Sequence, residues 1–125
     1  MLEFKKAVFL VLNGDATLTS LTTIHEGARL DQALPFIDLA DTLERDWSSK
    51  SFTGSEYMMK IHVFAPTTDL VLQIAERIRD LLHRVDLVVV GKNFVETSHE
   101  DTEIFLDKDQ TTIHGIVSFR SLLHG

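Results

Sequence analysis

The chain predicts an α+β domain with a largely antiparallel sheet, and three observations point to it. Tyr57, Met59, Ile61 and Val63 place an apolar residue at every second position, the period of a strand with one buried face. Beyond Pro66 the period changes. Leu70, Val71, Ile74, Ile78, Leu81, Leu82 and Val85 recur at three- and four-residue steps, while Asp69, Gln73, Glu76, Arg77, Asp80 and Arg84 fill the remaining turns, so an amphipathic helix offers one stripe to a core. The other strand-like runs form a long hairpin before this helix and a meander after it.

Taken in order, residues 3–13 predict a helix with Phe4, Ala7, Val8, Val11 and Leu12 on one side, and Asn13-Gly14 suit a left-handed cap at its end. Asp15 can cap a short helical turn carrying Leu18 and Leu21. Leu34-Pro35 leads into a strand from Phe36 to Trp47. Ile37, Leu39, Leu43 and Trp47 share one of its faces with Asp41 and Arg45, so its outer end is expected to project beyond the core. Trp47 to Gly54, WSSKSFTG, has the composition of a flexible loop joining the hairpin arms. Pro66 falls where a strand hands over to a helix and its missing donor costs least. The meander is expected as Leu87–Ser98, Thr102–Lys108, a turn at Asp109 and Gln110, and Thr112–Leu123. There is no internal repeat or low-complexity tail.

At 125 residues the chain reads as a single domain over 1–125, able to bury roughly two thirds of its unfolded surface. It has no cysteine, which removes disulfides, thiolate metal sites and cysteine nucleophiles. The longest early apolar run, Ala7–Leu12, is far short of the ~18 residues of a membrane span, and a protein that is soluble and intracellular when made is expected. The net charge of −7 argues against a nucleic-acid-binding surface, which takes clustered Lys and Arg. Residues 86–109 hold seven acids, Asp86, Glu96, Glu100, Asp101, Glu103, Asp107 and Asp109, against Lys92 and Lys108; this net of −5 leaves −2 for the rest. Solvated strand edges and turns account for such a run as readily as a function does.

A search for chemistry returns little. His25, His62, His83, His99, His114 and His124 include no HxH or HExxH spacing, so scattered solvent-facing imidazoles are expected and no metal site. His99-Glu100-Asp101 could hold a cation only if neighbouring strand residues shared a face, which they do not. Asp38 with Asp41, and Glu44 with Asp46, read as exposed strand charges. No phosphate-cradling glycine loop or nucleophile elbow is present, and neither a catalytic residue nor a cofactor is expected. Two aromatics stand out by position. Trp47 and Phe52 flank or occupy the hairpin loop with Lys50 between them, and either the loop folds back and buries them or the arm docks on another subunit. Met58 and Phe64, opposite the core-facing set of the next strand, point to docking too, unless they lie under the first helix.

The order of a first helix, LPFI at Leu34–Ile37, TGSEY at Thr53–Tyr57, HVF at His62–Phe64, AERIRDLLH at Ala75–His83 and IHGIVSFRSLL at Ile113–Leu123 resembles the small tail-completion proteins of long-tailed phages. These occur in prophages and gene transfer agents and are classed as a domain of unknown function. The likeness spans essentially the whole chain. Phe36 and Phe64 stand where the family commonly shows a tyrosine and a tryptophan, which keeps an aromatic at both positions.

The resemblance implies an α+β fold, a mixed, largely antiparallel sheet packed by the N-terminal helix and the central amphipathic helix. It implies a ring, a hexamer, that caps the tail tube and joins it to the head connector or stopper, made in the host cytoplasm and carried in the virion tail. Its partners would be its own copies, the tail-tube protein and the connector, with DNA only passing through the lumen and no membrane involved. Trp47, Lys50 and Phe52 are then candidates for a subunit or partner interface, and Glu100, Asp101 and Glu103 for an acidic lumen that repels phosphate. The alternatives are another component of the head–tail joint, a stopper or adaptor, and a small α+β enzyme or ligand-binding module whose first helix covers a pocket on the sheet.

Overall fold

A computed structural model of the protein describes residues 1–27 and 32–124. The elements follow as α1 (Leu2–Asn13), α2 (Ala16–Leu21), β1 (Thr23–His25), β2 (Phe36–Asp46), β3 (Gly54–Ala65), α3 (Thr68–Leu82), β4 (Asn93–Leu106) and β5 (Ile113–His124). The strands form a five-stranded sheet in the order β1-β2-β3-β5-β4. β1 runs parallel to β2 and every other neighbouring pair is antiparallel, so the sheet is mixed and the fold α+β.

The helices gather on one face of this sheet. Phe4, Ala7, Val8 and Leu12 of α1 are buried, and the Phe4 ring stacks on Tyr57 of β3 with centroids 4.4 Å apart. The ligand-binding alternative needs a pocket at this place, but the helix packs directly on the sheet. Gly14 is not left-handed: it has φ −81°, because the chain passes at once into α2. Glycine is needed there for space, since a Cβ would stand 2.9 Å from the Leu10 carbonyl oxygen. Asp15 caps α2 as expected, accepting from the Leu18 N–H at 2.9 Å. Arg77 of α3 donates to the same carboxylate through Nε at 2.9 Å and Nη2 at 2.7 Å, tying α2 to α3. That fork, with the Leu18 N–H, brings the Asp15 pKa down to about 2. Thr67, just after Pro66, caps α3, whose buried stripe is Val71, Ile74, Ala75, Ile78 and Leu82. α3 lies so close to β5 that a Cβ on Gly115 would meet Val71 Cγ1 at 2.6 Å.

Four expectations need correction. β1 was not foreseen: three residues are too short for a period to show. In β2 the pairing register shifts between Asp38 and Asp41, so the side chains change faces midway. Ile37 and Leu39 point into the core, whereas Leu43 turns to the opposite side and is 51% exposed. The runs Leu87–Ser98 and Thr102–Lys108 are one strand: β4 begins only at Asn93 and passes through the expected break with Glu100 in a bulge between His99 and Asp101. Residues 87–89 stay outside the ladder, although Leu87 and Val89 are buried. Finally, Met58 and Phe64 do not lie under α1, because α1 is on the other face of the sheet.

Candidate assembly surfaces

The second face of the sheet is bare among the described residues, and in-register pairing sorts its side chains into rows across the strands. Phe36, Phe64, His114 and Phe105 are direct cross-strand partners on β2, β3, β5 and β4. Their ring centroids follow at 4.7, 4.2 and 4.6 Å, a continuous aromatic row across four strands. Further along, Leu43 on β2 opposes Met58 on β3. An antiparallel sheet with one face in water ordinarily alternates to polar residues on that side. This one keeps large apolar groups there: Leu43 and Phe105 are exposed, Met58 and Phe64 half-buried and Phe36 buried.

Two of the histidines expected to be scattered meet beside the aromatic row. His62 Nε2 lies 2.8 Å from Asp41 Oδ2, and His62 Nδ1 lies 2.8 Å from His114 Nε2. The Asp41 carboxylate accepts from His62 Nε2, and the facing nitrogens His62 Nδ1 and His114 Nε2 share one hydrogen bond whose direction follows the tautomers. His114 Nδ1 is buried without a hydrogen bond, 3.8 Å from Asp107. Burial first, and the neighbouring His62 second, push the His114 pKa down. His83 and His99 form a second pair on the helix side, where the His99 N–H donates to His83 Nδ1 at 2.9 Å. Both pairs join residues far apart in sequence. Only the polar-face position of His62 and His114 in their strands was visible beforehand.

The hairpin projects as expected, since β1 pairs only with Phe36–Asp38 and leaves the outer half of β2 exposed. Its tip is closed rather than loose. The Trp47 N–H donates to the Gly54 carbonyl at 2.9 Å and the Ser49 N–H to the Phe52 carbonyl at 3.0 Å. The Trp47 ring meets Phe52 edge-on at 5.3 Å and lies over Gly54, where a Cβ would come within 2.9 Å of Trp47 Cε3. Trp47 is half-buried, Phe52 is 38% exposed and Lys50 is exposed. Thus Trp47 and Phe52 come together at the tip, with Lys50 beside them. Glu100, Asp101 and Glu103 are all exposed on the edge strand β4, Asp101 and Glu103 on the bare face and Glu100 at the bulge. At the turn before β5, Asp109 accepts from the Thr111 and Thr112 N–H groups and the Thr112 hydroxyl, which together lower its pKa to about 2.

Among the described residues no group of three or more His, Asp or Glu side chains is arranged to hold a metal. No helix among the described residues is long and apolar enough to cross a membrane. Residues 6–124 match the family described as tail completion protein gp17. The chain belongs to that family. The tail completion protein gp17 of Bacillus phage SPP1 is 28% identical over 98 residues, 78% of this chain and 73% of that protein. Among solved structures, a chain in the virion of a native gene transfer agent particle matches with a TM-score of 0.88 at 20% identity, over 97% of this chain and 94% of its own. The structure of bacteriophage SPP1 gp17 matches with a TM-score of 0.62 at 24% identity, over 93% of this chain and 85% of its own. As a tail completion protein, the chain is a structural component of a virion tail.

Proposed function

We propose that this tail completion protein forms a hexameric ring that caps the tail tube and joins it to the head connector. It is assembled in the host cytoplasm and retained in the virion tail. The role is structural, not catalytic. The observation that carries this reading is the bare sheet face with its aromatic row, on a chain that belongs to the tail completion family throughout residues 6–124. A ring protein needs exposed, unlike contact surfaces more than it needs a pocket. The hairpin tip, Trp47, Lys50 and Phe52, is the contact to a tube or connector protein: Trp47 and Phe52 are large anchors held by the tip's own hydrogen bonds, so little order is lost on docking. Glu100, Asp101 and Glu103 line the lumen, where negative charge keeps passing DNA from adhering.

Light scattering across a concentration series, without and then with the cognate tail-tube protein, tests the ring. The expected result is a hexamer, or a monomer that assembles on the tube protein. A monomer or dimer indifferent to the tube protein overturns the proposal. Charge reversal of Glu100, Asp101 and Glu103 is expected to leave assembly intact and impair DNA passage; unimpaired passage removes the lumen assignment.

A further inference from the structure

Two apolar surfaces have no partner among the described residues, and they lie on opposite sides of the sheet. One is the outward side of α1. Leu2 and Leu10 are 64% and 71% exposed, and with Lys5, Lys6, Phe9 and Glu26 they line an open groove of about 310 Å³. A surface helix normally carries one apolar stripe, whereas α1 has this second one besides the buried Phe4, Ala7, Val8 and Leu12. The other surface is the bare face of β2 and β3, with buried Phe36 and half-buried Phe64 toward one end and exposed Leu43 and half-buried Met58 toward the other. Each supplies what the other lacks, a helical stripe without a sheet beneath it and a sheet face without a helix above it. α1 also lies directly behind this half of the sheet, since Phe4 stacks on Tyr57 and the Met1 amino group reaches Glu44 at 3.4 Å.

We propose, building on the ring reading above, that α1 of one copy docks on the bare β2–β3 face of the next, so that the two-layer subunits stack front to back. The lengths agree: α1 has 12 residues, about 18 Å, and the stretch of β3 from Phe64 to Met58 covers about 20 Å. The charges agree as well. Lys6 beside the groove is 60% exposed and held only loosely by Glu3 at 3.7 Å, and between the two apolar ends of the sheet Asp41, opposite Lys60 and bonded to His62 through Oδ2, still keeps 54% of its side chain exposed. Because the surfaces are unlike, the contact is head-to-tail, and a fixed rotation at each step closes it into a ring. β4 lies outside the contact, at the sheet edge away from β1. Its acidic edge is therefore free to face the ring axis, while the hairpin tip, at the ends of the strands, points along the axis toward a partner protein.

The test uses two variants of the full chain, Leu10→Glu on the helix and Leu43→Glu on the sheet, both at exposed positions. Leu2→Glu and Met58→Glu replace them if circular dichroism shows that either fails to fold. Light scattering is done at a concentration where the wild type is assembled, with tube protein present if the wild type requires it. Each variant alone is expected to associate at least about 100-fold more weakly, because a carboxylate would have to be buried in an apolar contact. Mixed in equal amounts, the two are expected to form a discrete heterodimer, since each retains the surface that the other has lost. Variants that assemble as well as the wild type, or a mixture no larger than its separate components, overturn the docking while leaving the ring intact. A wild type that stays monomeric with tube protein present overturns both.

Discussion

Gly115→Ala places a methyl group between α3 and β5 and so measures how closely the central helix rests on the sheet. The new Cβ would stand 2.6 Å from Val71 Cγ1 and 3.7 Å from Val63 Cβ. Carbon atoms in contact settle at roughly 3.5–4.0 Å, so about 1 Å must be found. Val71 is fully buried, and a β-branched side chain in a helix has essentially one rotamer, so it cannot swing aside. Overpacking of this kind costs about 1–3 kcal/mol. Replacing a strand-interior glycine by alanine returns about 0.5–1 kcal/mol in backbone entropy. The clash is the larger effect, and the variant is expected to be destabilised by about 1–2 kcal/mol, about 4–8 °C in Tm for a chain of this size. Urea denaturation of a double-mutant cycle isolates the cause. Val71→Ala alone should cost about 2–3 kcal/mol, and adding Gly115→Ala to it should cost almost nothing, because the obstructing Cγ1 is gone. A Gly115→Ala variant as stable as the wild type, or strictly additive costs, would refute the close approach of α3 to β5.

Three further outcomes are expected. Trp47 is the sole tryptophan, and a Cβ on Gly54 would stand 2.7 Å from its carbonyl oxygen; Gly54→Ala should therefore pry the hairpin tip open and red-shift the intrinsic fluorescence, and an unshifted spectrum would contradict the folded-back tip. The Asp15 pKa falls from 3.8 to about 2 on folding, so the stabilisation it supplies is fully present above pH 3.8 and lost as the pH drops through about 2. Asp15→Ala should melt below the wild type at pH 7, with the gap closing over that acid range; a gap independent of pH would separate Asp15 from the Arg77 pairing. Folding lowers the pKa of His114, so below about 6.5 the unfolded chain takes up a proton that the folded chain resists, and stability falls with pH. His114→Phe keeps the ring in the aromatic row and should flatten the Tm-against-pH curve between pH 7 and 5, whereas an unchanged slope would assign it to other groups.

Elements whose period is sustained were legible in the sequence. α3 could be read from its stripe, β3 and β5 from their alternation, and the α2 cap from Asp15. The failures have local physical causes. Periodicity cannot register a single added residue, so the shift in β2 sent Leu43 to the wrong face and the bulge at Glu100 split β4 in two. The bare face stayed hidden for a related reason. Phe64 could be joined only to Met58 on its own strand, and Phe36, Phe105 and His114 each read as an isolated residue until the strand order β2-β3-β5-β4 placed the four rings side by side, an order that depends on pairings across long stretches of chain. The same holds for His62 and His114, 52 residues apart. Trp47 and Phe52 could be placed together at the hairpin tip because they are neighbours in sequence.

The position of β5 gives the order of synthesis a role. Of the five strands β5 comes last in the chain, yet it sits between β3 and β4. While a nascent chain still lacks residues 113–124, β4 has no neighbour to pair with, β3 is open along one side and α3 lacks the strand that comes closest to Val71. The aromatic row is broken as well, because His114 supplies the ring between Phe64 and Phe105. Synthesis on the ribosome runs at roughly 5–20 residues per second and exposes partly built sheets to one another on polysomes. Here the sheet is joined into one piece only when the central strand is inserted. A polypeptide stalled or cut short within β5 thus lacks the strand that links β3 to β4, and its sheet stays in two parts.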